Sequence, residues 1–149
     1  MNESELKRIM EEFVPFNRHL GVQLITFGHG RVVIRLPFNE AWIGDPRRPA
    51  LHGGVISTMI DTAGGAAAFT TLDATDRLST VDMRVDFLRP GEPRDLNVAA
   101  RILRGGNRVI LTMMQAYHDD AGDPIAEGRA VYNLRRTSGD TVGPESKWG

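Results

Sequence analysis

The chain has 149 residues, 41% of them hydrophobic and 25% charged, with 18 Lys and Arg against 19 Asp and Glu, and no cysteine. That length fits one domain, and the near-balance of charge leaves no global field that would favour a nucleic acid or an anionic membrane. Without cysteine there is no disulfide, no thiol nucleophile and no thiolate zinc site, which accords with a reducing compartment.

Asn2-Glu3-Ser4-Glu5 combines capping residues with early carboxylates, a pattern that favours a helix N-terminus. Leu6, Ile9, Met10 and Phe13 follow at helical spacing, so a short helix is expected at residues 4–14, ended by Pro15. The segment is acidic and amphipathic, without the apolar run of a secretory signal. No segment reaches the ~20 apolar residues needed to span a bilayer. A cytoplasmic protein is expected, with neither a membrane nor a nucleic acid as partner. Two β-rich runs, residues 22–27 and 32–36, flank Gly28-His29-Gly30 and read as a hairpin. The loop Gly44-Asp45-Pro46-Arg47-Arg48-Pro49 is too rich in Pro and Gly for regular structure, and such loops often carry function.

Residues 55–71 contain no proline and read as a long helix. Val55, Ile56, Met59, Ile60, Ala63, Ala66 and Ala67 gather on one face, an ordinary core stripe. Ser57, Thr58, Asp61, Gly64, Gly65 and Ala68 gather on the other, small and polar with one carboxylate at the centre. No Lys, Arg or other acid lies between Val55 and Leu72, so the helix is expected to be buried all round.

The period then changes to two. Val81, Met83, Val85 and Phe87 alternate with Asp82, Arg84 and Asp86 in a half-buried strand at residues 80–88. Pro90-Gly91, Gly105-Gly106-Asn107 and a turn at residues 119–123 lead to strands at about 96–102, 108–117 and 125–134. Short turns join these four strands, so an antiparallel meander is expected. The run from Val109 to Met114 is apolar nearly throughout, which suggests that both its faces are covered, one by another subunit. The fold class is α+β, one domain at residues 1–136 with the sheet wrapped around the helix, and a loose tail at 137–149.

His52-Gly53-Gly54 runs directly into the long helix, and Asp61 lies two turns inside it. A glycine pair at a helix start admits a ligand to bare backbone whose N–H groups have no intrahelical partner. The helix dipole adds positive charge there, which suits an oxyanion built on a carbonyl. The same glycines would also serve a plain tight turn. Asp61 has poor propensity for a helix interior, and a buried carboxylate needs a partner or a task. His52 either bonds a substrate or pins the loop. His19, His29, His52 and His118 show no metal-ligand spacing, so no metal site is expected. No Gly-x-Ser-x-Gly elbow is present.

His52-Gly53-Gly54, six residues, then Asp61-Thr62-Ala63 resembles the signature of hotdog-fold acyl-CoA thioesterases of the phenylacetate-degradation (PaaI-like) type. The stretch from Ser79 through Asp86-Phe87-Leu88-Arg89-Pro90 is similar to that family's strand after the helix. The order of elements agrees from about Asn17 to Leu134. The resemblance implies a homodimer with edge-to-edge sheets, usually paired into a homotetramer, and active sites at the dimer interface. There the Gly54 amide of one subunit, beside Gly53, would polarise the thioester carbonyl. Asp61 of the other would act as nucleophile or general base, and Thr80 would position water. His52 would sit near the sulfur or hold the loop. Asp45 stands where many relatives carry another polar residue, and would raise the pKa of Asp61 if close or merely shape the loop. Arg104 and Arg108 would grip the CoA phosphates, and no cofactor is needed. The fold is shared with acyl dehydratases and hydratases, which pair a histidine with a carboxylate, and a non-catalytic acyl-CoA binder would keep the same frame.

Overall fold

The N-terminus folds as two short helices rather than one. Asn2 caps α1 (Glu3–Arg8) through a capping box, its side chain accepting the Glu5 N–H while the Glu5 carboxylate accepts the Asn2 N–H. The chain continues as a π-helical turn, Ile9–Phe13, and Pro15 then opens α2 (Pro15–Leu20). Pro15 therefore ends the first helix as expected and also starts a second that the periodicity did not reveal. Its fixed φ suits a first helical turn, where the missing N–H would have had no partner. Gly21, in the left-handed region at φ 75°, stops α2.

The computed structural model describes residues 1–137, so the tail expected at 137–149 lies outside the described residues apart from Thr137. After α2 come the hairpin β1 (Gln23–Gly28) and β2 (Arg31–Leu36), the helix α3 (Gly53–Phe69), then β3 (Arg77–Phe87), β4 (Leu96–Gly105), β5 (Val109–Tyr117) and β6 (Ala126–Arg135). The strands form one antiparallel sheet in the order β1-β2-β4-β5-β6-β3. Ile56, Met59, Ile60, Ala63 and Ala67 of α3 pack into one buried core with Ile34, Val98, Met114 and Ala130 of the sheet. This is the α+β hotdog arrangement. No helix among the described residues is long and apolar enough to cross a membrane.

The four-strand meander needs correction. β4, β5 and β6 do run in sequence, but β3 pairs with β6 at the far edge rather than with β4. Three strand spacings, roughly 14 Å, separate β3 from β4, a span that residues 88–95 cover with chain to spare at ~3.3 Å per residue. The link is tied down on its way: the Leu51 N–H donates to the Gly91 carbonyl and the Glu92 N–H to His118 Nε2. Pro90-Gly91 thus marks a crossing of the sheet's end, not a hairpin.

The alternation in β3 also breaks. The register shifts between Thr80 and Asp82, and Val81, expected on the inner face, is 65% exposed. Across this bulge the inward phase changes from Leu78 and Thr80, opposite Leu134 and Tyr132, to Met83 and Val85, opposite Ala130 and Gly128. Phe87 keeps that phase but remains 54% exposed. On β5 the outward side chains Leu111 and Met113 are half-buried and Val109 is 49% exposed, so a single chain does not cover that face.

Candidate active site

α3 begins at His52, whose backbone is extended and whose carbonyl accepts the Val55 and Ile56 N–H groups. The His52 N–H donates to the Trp42 carbonyl at 2.8 Å, so the loop before the helix is held from both sides. His52 Nδ1 accepts the Gly54 N–H at 2.8 Å, an N-cap made by an imidazole, which puts the ring proton on Nε2. The ring lies so close over Gly54 that a Cβ there would meet Nδ1 at 2.9 Å and Cε1 at 3.0 Å. Glycine at 54 is therefore required by the cap itself. It follows that the Gly54 N–H is bonded to His52 in the isolated chain. The Gly53 N–H, one residue earlier, meets no acceptor among the described residues, and Phe87 borders it.

Asp61 is half-buried, and its Oδ1 accepts two side-chain hydroxyls: Thr80 at 2.9 Å and Tyr132 at 3.2 Å. The Tyr132 hydroxyl also lies 2.8 Å from the Asp61 backbone carbonyl. The bulge after Thr80 makes the first contact possible, because strict alternation through Val81 would have turned Thr80 outward. Gly64 makes the second possible. A Cβ there would collide with the Tyr132 hydroxyl and reach 2.9 Å from Met114 Sδ and Thr112 Oγ1. Burial, then the neighbouring Asp61 charge, push the Tyr132 phenol far above its ordinary pKa, so it remains a neutral donor. A cleft of about 190 Å³ opens beside Asp61, walled by Ile9, Met10, Val14, Phe69 and Leu78.

The small-residue face of α3 is divided rather than buried all round. Gly64 and Ala68 are buried against the sheet, whereas Ser57, Thr58, Asp61 and Gly65 stay half-exposed in the single chain. Asp45 sits in the exposed loop before His52, where Arg47 holds it by a bidentate pair at 3.0 and 3.2 Å and by its N–H at 3.0 Å. The Arg47 side chain, then its amide, keep the Asp45 carboxyl below the usual carboxylate range. Arg104 and Arg108 line a shallow cleft of about 390 Å³ at the β4–β5 turn, and the Arg108 carbonyl accepts the Leu134 N–H. That turn adjoins Ile102 and Ile110, which pack with Ala68 and Leu72 at the far end of α3 from His52.

The chain thus unites Asp61 with Thr80, holds His52, Gly53 and Gly54 together at the helix start, keeps Asp45 on Arg47 in the loop whose Gly44 abuts His52, and leaves Arg104 and Arg108 at the far end. Tyr132 was missed. The available signal was Gly64, a glycine one turn beyond Asp61 inside a helix, which demands a close neighbour.

The model of the thioesterase superfamily matches residues 49–125. Over 136 residues the chain is 32% identical to the medium/long-chain acyl-CoA thioesterase YigI of Salmonella typhimurium, covering 79% of this chain and 86% of that one. A crystal structure from Shewanella oneidensis, related to the thioesterase superfamily, superposes with a TM-score of 0.78 at 30% identity, covering 87% of this chain and 93% of that one. A phenylacetic-acid-degradation-related protein from Ralstonia eutropha superposes with a TM-score of 0.74 over 86% of this chain and 98% of that one. At 22% identity that likeness shows the fold alone.

Proposed function

The chain belongs to the thioesterase superfamily, and from that premise we propose that it hydrolyses acyl-CoA thioesters carrying medium or long acyl chains. The observation that carries the reading is the Asp61 carboxylate, held by Thr80 and Tyr132 beside an apolar cleft in a chain similar to an enzyme of that substrate class. Asp61 serves as general base: it takes a proton from water as the water oxygen attacks the thioester carbonyl carbon. The C–S bond then breaks, and the proton returns to the departing CoA sulfur. Thr80, donating to Asp61, keeps lone pairs with which to hold that water. The carbonyl oxygen is received at the start of α3, by the free Gly53 N–H and by the Gly54 N–H once His52 yields it. Arg104 and Arg108 are the proposed grip on the CoA phosphates, and Asp45 with Arg47 shapes the loop before His52.

Two subunits complete the site. From position 54 to position 61 is seven residues, about 10 Å along a helix axis. A carbonyl, an attacking water and the groups that hold them, joined at bent angles, span less than about 8 Å. Gly54 and Asp61 of one chain stand about two helical turns apart, and we assign them to different sites. The free edge of β3 supports that assignment, since it pairs only with β6 and exposes Val81 and Phe87. Thr80 and Phe87 mark the two ends of that edge, next to Asp61 and Gly53 respectively. A two-fold axis near Met83 and Arg84 sets one copy's Phe87 beside the other's Thr80, and so one helix start beside the other carboxylate. Uncovered Leu111 and Met113 on the outer face of β5 support pairing of dimers into a tetramer. The lack of cysteine supports a cytoplasmic setting.

The test is thiol release from hexanoyl-, decanoyl-, palmitoyl- and phenylacetyl-CoA, with light scattering for the oligomer. Turnover highest on the straight chains supports the reading. Preference for phenylacetyl-CoA moves the substrate to the aryl class of the phenylacetate type, and no release from any thioester overturns it. A single turnover in heavy-oxygen water that labels an Asp61 peptide would replace the base by a nucleophile.

A further inference from the structure

The inner face of β6 presents Ala126, Gly128, Ala130, Tyr132 and Leu134 in turn, small residues and then one large ring. The small ones bring the strand against α3, so closely that a Cβ on Gly128 would collide with Ile60. Tyr132 then lies along the helix at 2% exposure, and its hydroxyl ends in the notch left by Gly64. A phenylalanine would fill the same space. The helix does not require the hydroxyl either, because a carbonyl inside a helix accepts an N–H four residues on. Placing an O–H in the core is unfavourable unless an acceptor meets it, and here the acceptors are two atoms of one residue, the Asp61 carbonyl and Oδ1, while Thr112 and the Gly65 amide approach the hydroxyl oxygen.

Oδ1 also carries the Thr80 hydroxyl, so two donors from the neighbouring strands β3 and β6 converge on one oxygen. Oδ2 has no hydrogen-bond partner among the described residues. The single Tyr132 proton is shared between the Asp61 carbonyl at 2.8 Å and Oδ1 at 3.2 Å, which ties the carboxylate to its own backbone; with Thr80 on the same oxygen, the side-chain torsions are held and the second oxygen is left to the cleft. Resting on the general-base reading above, we propose that Tyr132 is a positioning residue that locks Asp61 through Oδ1 and so aims Oδ2 at the reacting water. Among the described residues of one chain, Asp61 and Tyr132 are the titratable side chains lining the cleft. The hydroxyl stays protonated and acts through geometry alone. A misdirected carboxylate leaves substrate binding intact and slows the proton transfer.

The test is a double-mutant cycle of Tyr132→Phe and Asp61→Asn, read by steady-state thiol release, with circular dichroism and thermal melting as fold controls. Tyr132→Phe is expected to lower kcat roughly 10- to 100-fold, with KM unchanged to within about twofold. In the Asp61→Asn background the same change is expected to lower the residual rate no further, since the residue through which Tyr132 acts is already gone. Equal losses in both backgrounds, or a Tyr132→Phe protein that does not fold, would assign the hydroxyl to structure and overturn the proposal. Wild-type kcat in Tyr132→Phe, with turnover lost in Asp61→Asn, overturns the positioning role and leaves the thioesterase reading standing. Wild-type rates in both variants bring down the Asp61 assignment and this role with it.

Discussion

The two ends of the proposed site are built in opposite ways, although both lie on α3. The helix start is capped locally: His52 caps Gly54 two residues away, and the glycine leaves room for the ring. Asp61 owes its placement to Thr80, 19 positions on, and to Tyr132, 71 positions on. A local device of this kind forms as soon as the helix does. The Asp61 cluster exists only when β3 and β6 are in register and the bulge after Thr80 is made. The chemistry that demands the tighter geometry is thus fixed by tertiary structure, and the device that binds by backbone is fixed by sequence-local structure.

The largest expected effect separates the two ends by chain. Asp61→Asn preserves shape and is expected to reduce kcat by about a hundred- to ten-thousand-fold. Gly54→Pro removes the N–H and puts a ring where the His52 imidazole lies, so it should be similarly inactive, with circular dichroism showing that the helix still forms. If each site joins Gly54 of one subunit to Asp61 of the other, co-refolding the two inactive variants restores activity. Random pairing makes half the dimers mixed, each with one intact site of two, so recovery should approach about a quarter of the wild-type rate. No recovery, with mixed dimers demonstrated by tag pull-down, would place both groups in one chain and break the comparison.

This contrast explains what was legible in the sequence. The capped helix start, the Asp61 carboxylate and its small neighbours could be read because each is a local pattern. Thr80 came only through a family resemblance, since alternation through Val81 placed it on the wrong face until the bulge corrected the phase. Tyr132 gave no local signal at all: a tyrosine in a β-rich run is ordinary, and its meaning lies in Gly64, on another element. The β3 misplacement has the same origin. Pro90-Gly91 specifies a change of direction, while the partner of β3 is chosen by residues of β6 about 40 to 60 positions on. The N-terminal pair of helices was misread for a different reason, because Pro15 satisfies both a stop and a start.

A middle-sized effect probes the long-range end through stability. Gly64→Ala adds one methyl where Tyr132, Met114 and Thr112 already meet the helix. Overpacking of this kind is destabilising by about 1–3 kcal/mol, which for a chain of this size lowers Tm by ~2–4 °C per kcal/mol. Adding Tyr132→Phe removes the oxygen nearest the new methyl, so the double variant is expected to melt higher than Gly64→Ala alone. A double variant no more stable than the single one would mean that the glycine answers to Met114 and Thr112 rather than to the hydroxyl.

The smallest effect isolates the local end. His52→Ala deletes the acceptor for the Gly54 N–H, and loss of a helix N-cap is destabilising by ~1 kcal/mol. His52→Asn restores a side-chain acceptor at the same position, and asparagine is among the best N-caps, so its melting temperature should return to within a degree or two of wild type, about 0.5 kcal/mol. If His52 only pins the loop, turnover follows stability and His52→Asn is active. A His52→Asn protein that melts like wild type but turns over slowly would show that the imidazole itself is used once the thioester is bound. That outcome would bring the helix start closer in kind to Asp61, because its cap would then be a group that must let go of Gly54 for the carbonyl oxygen to enter.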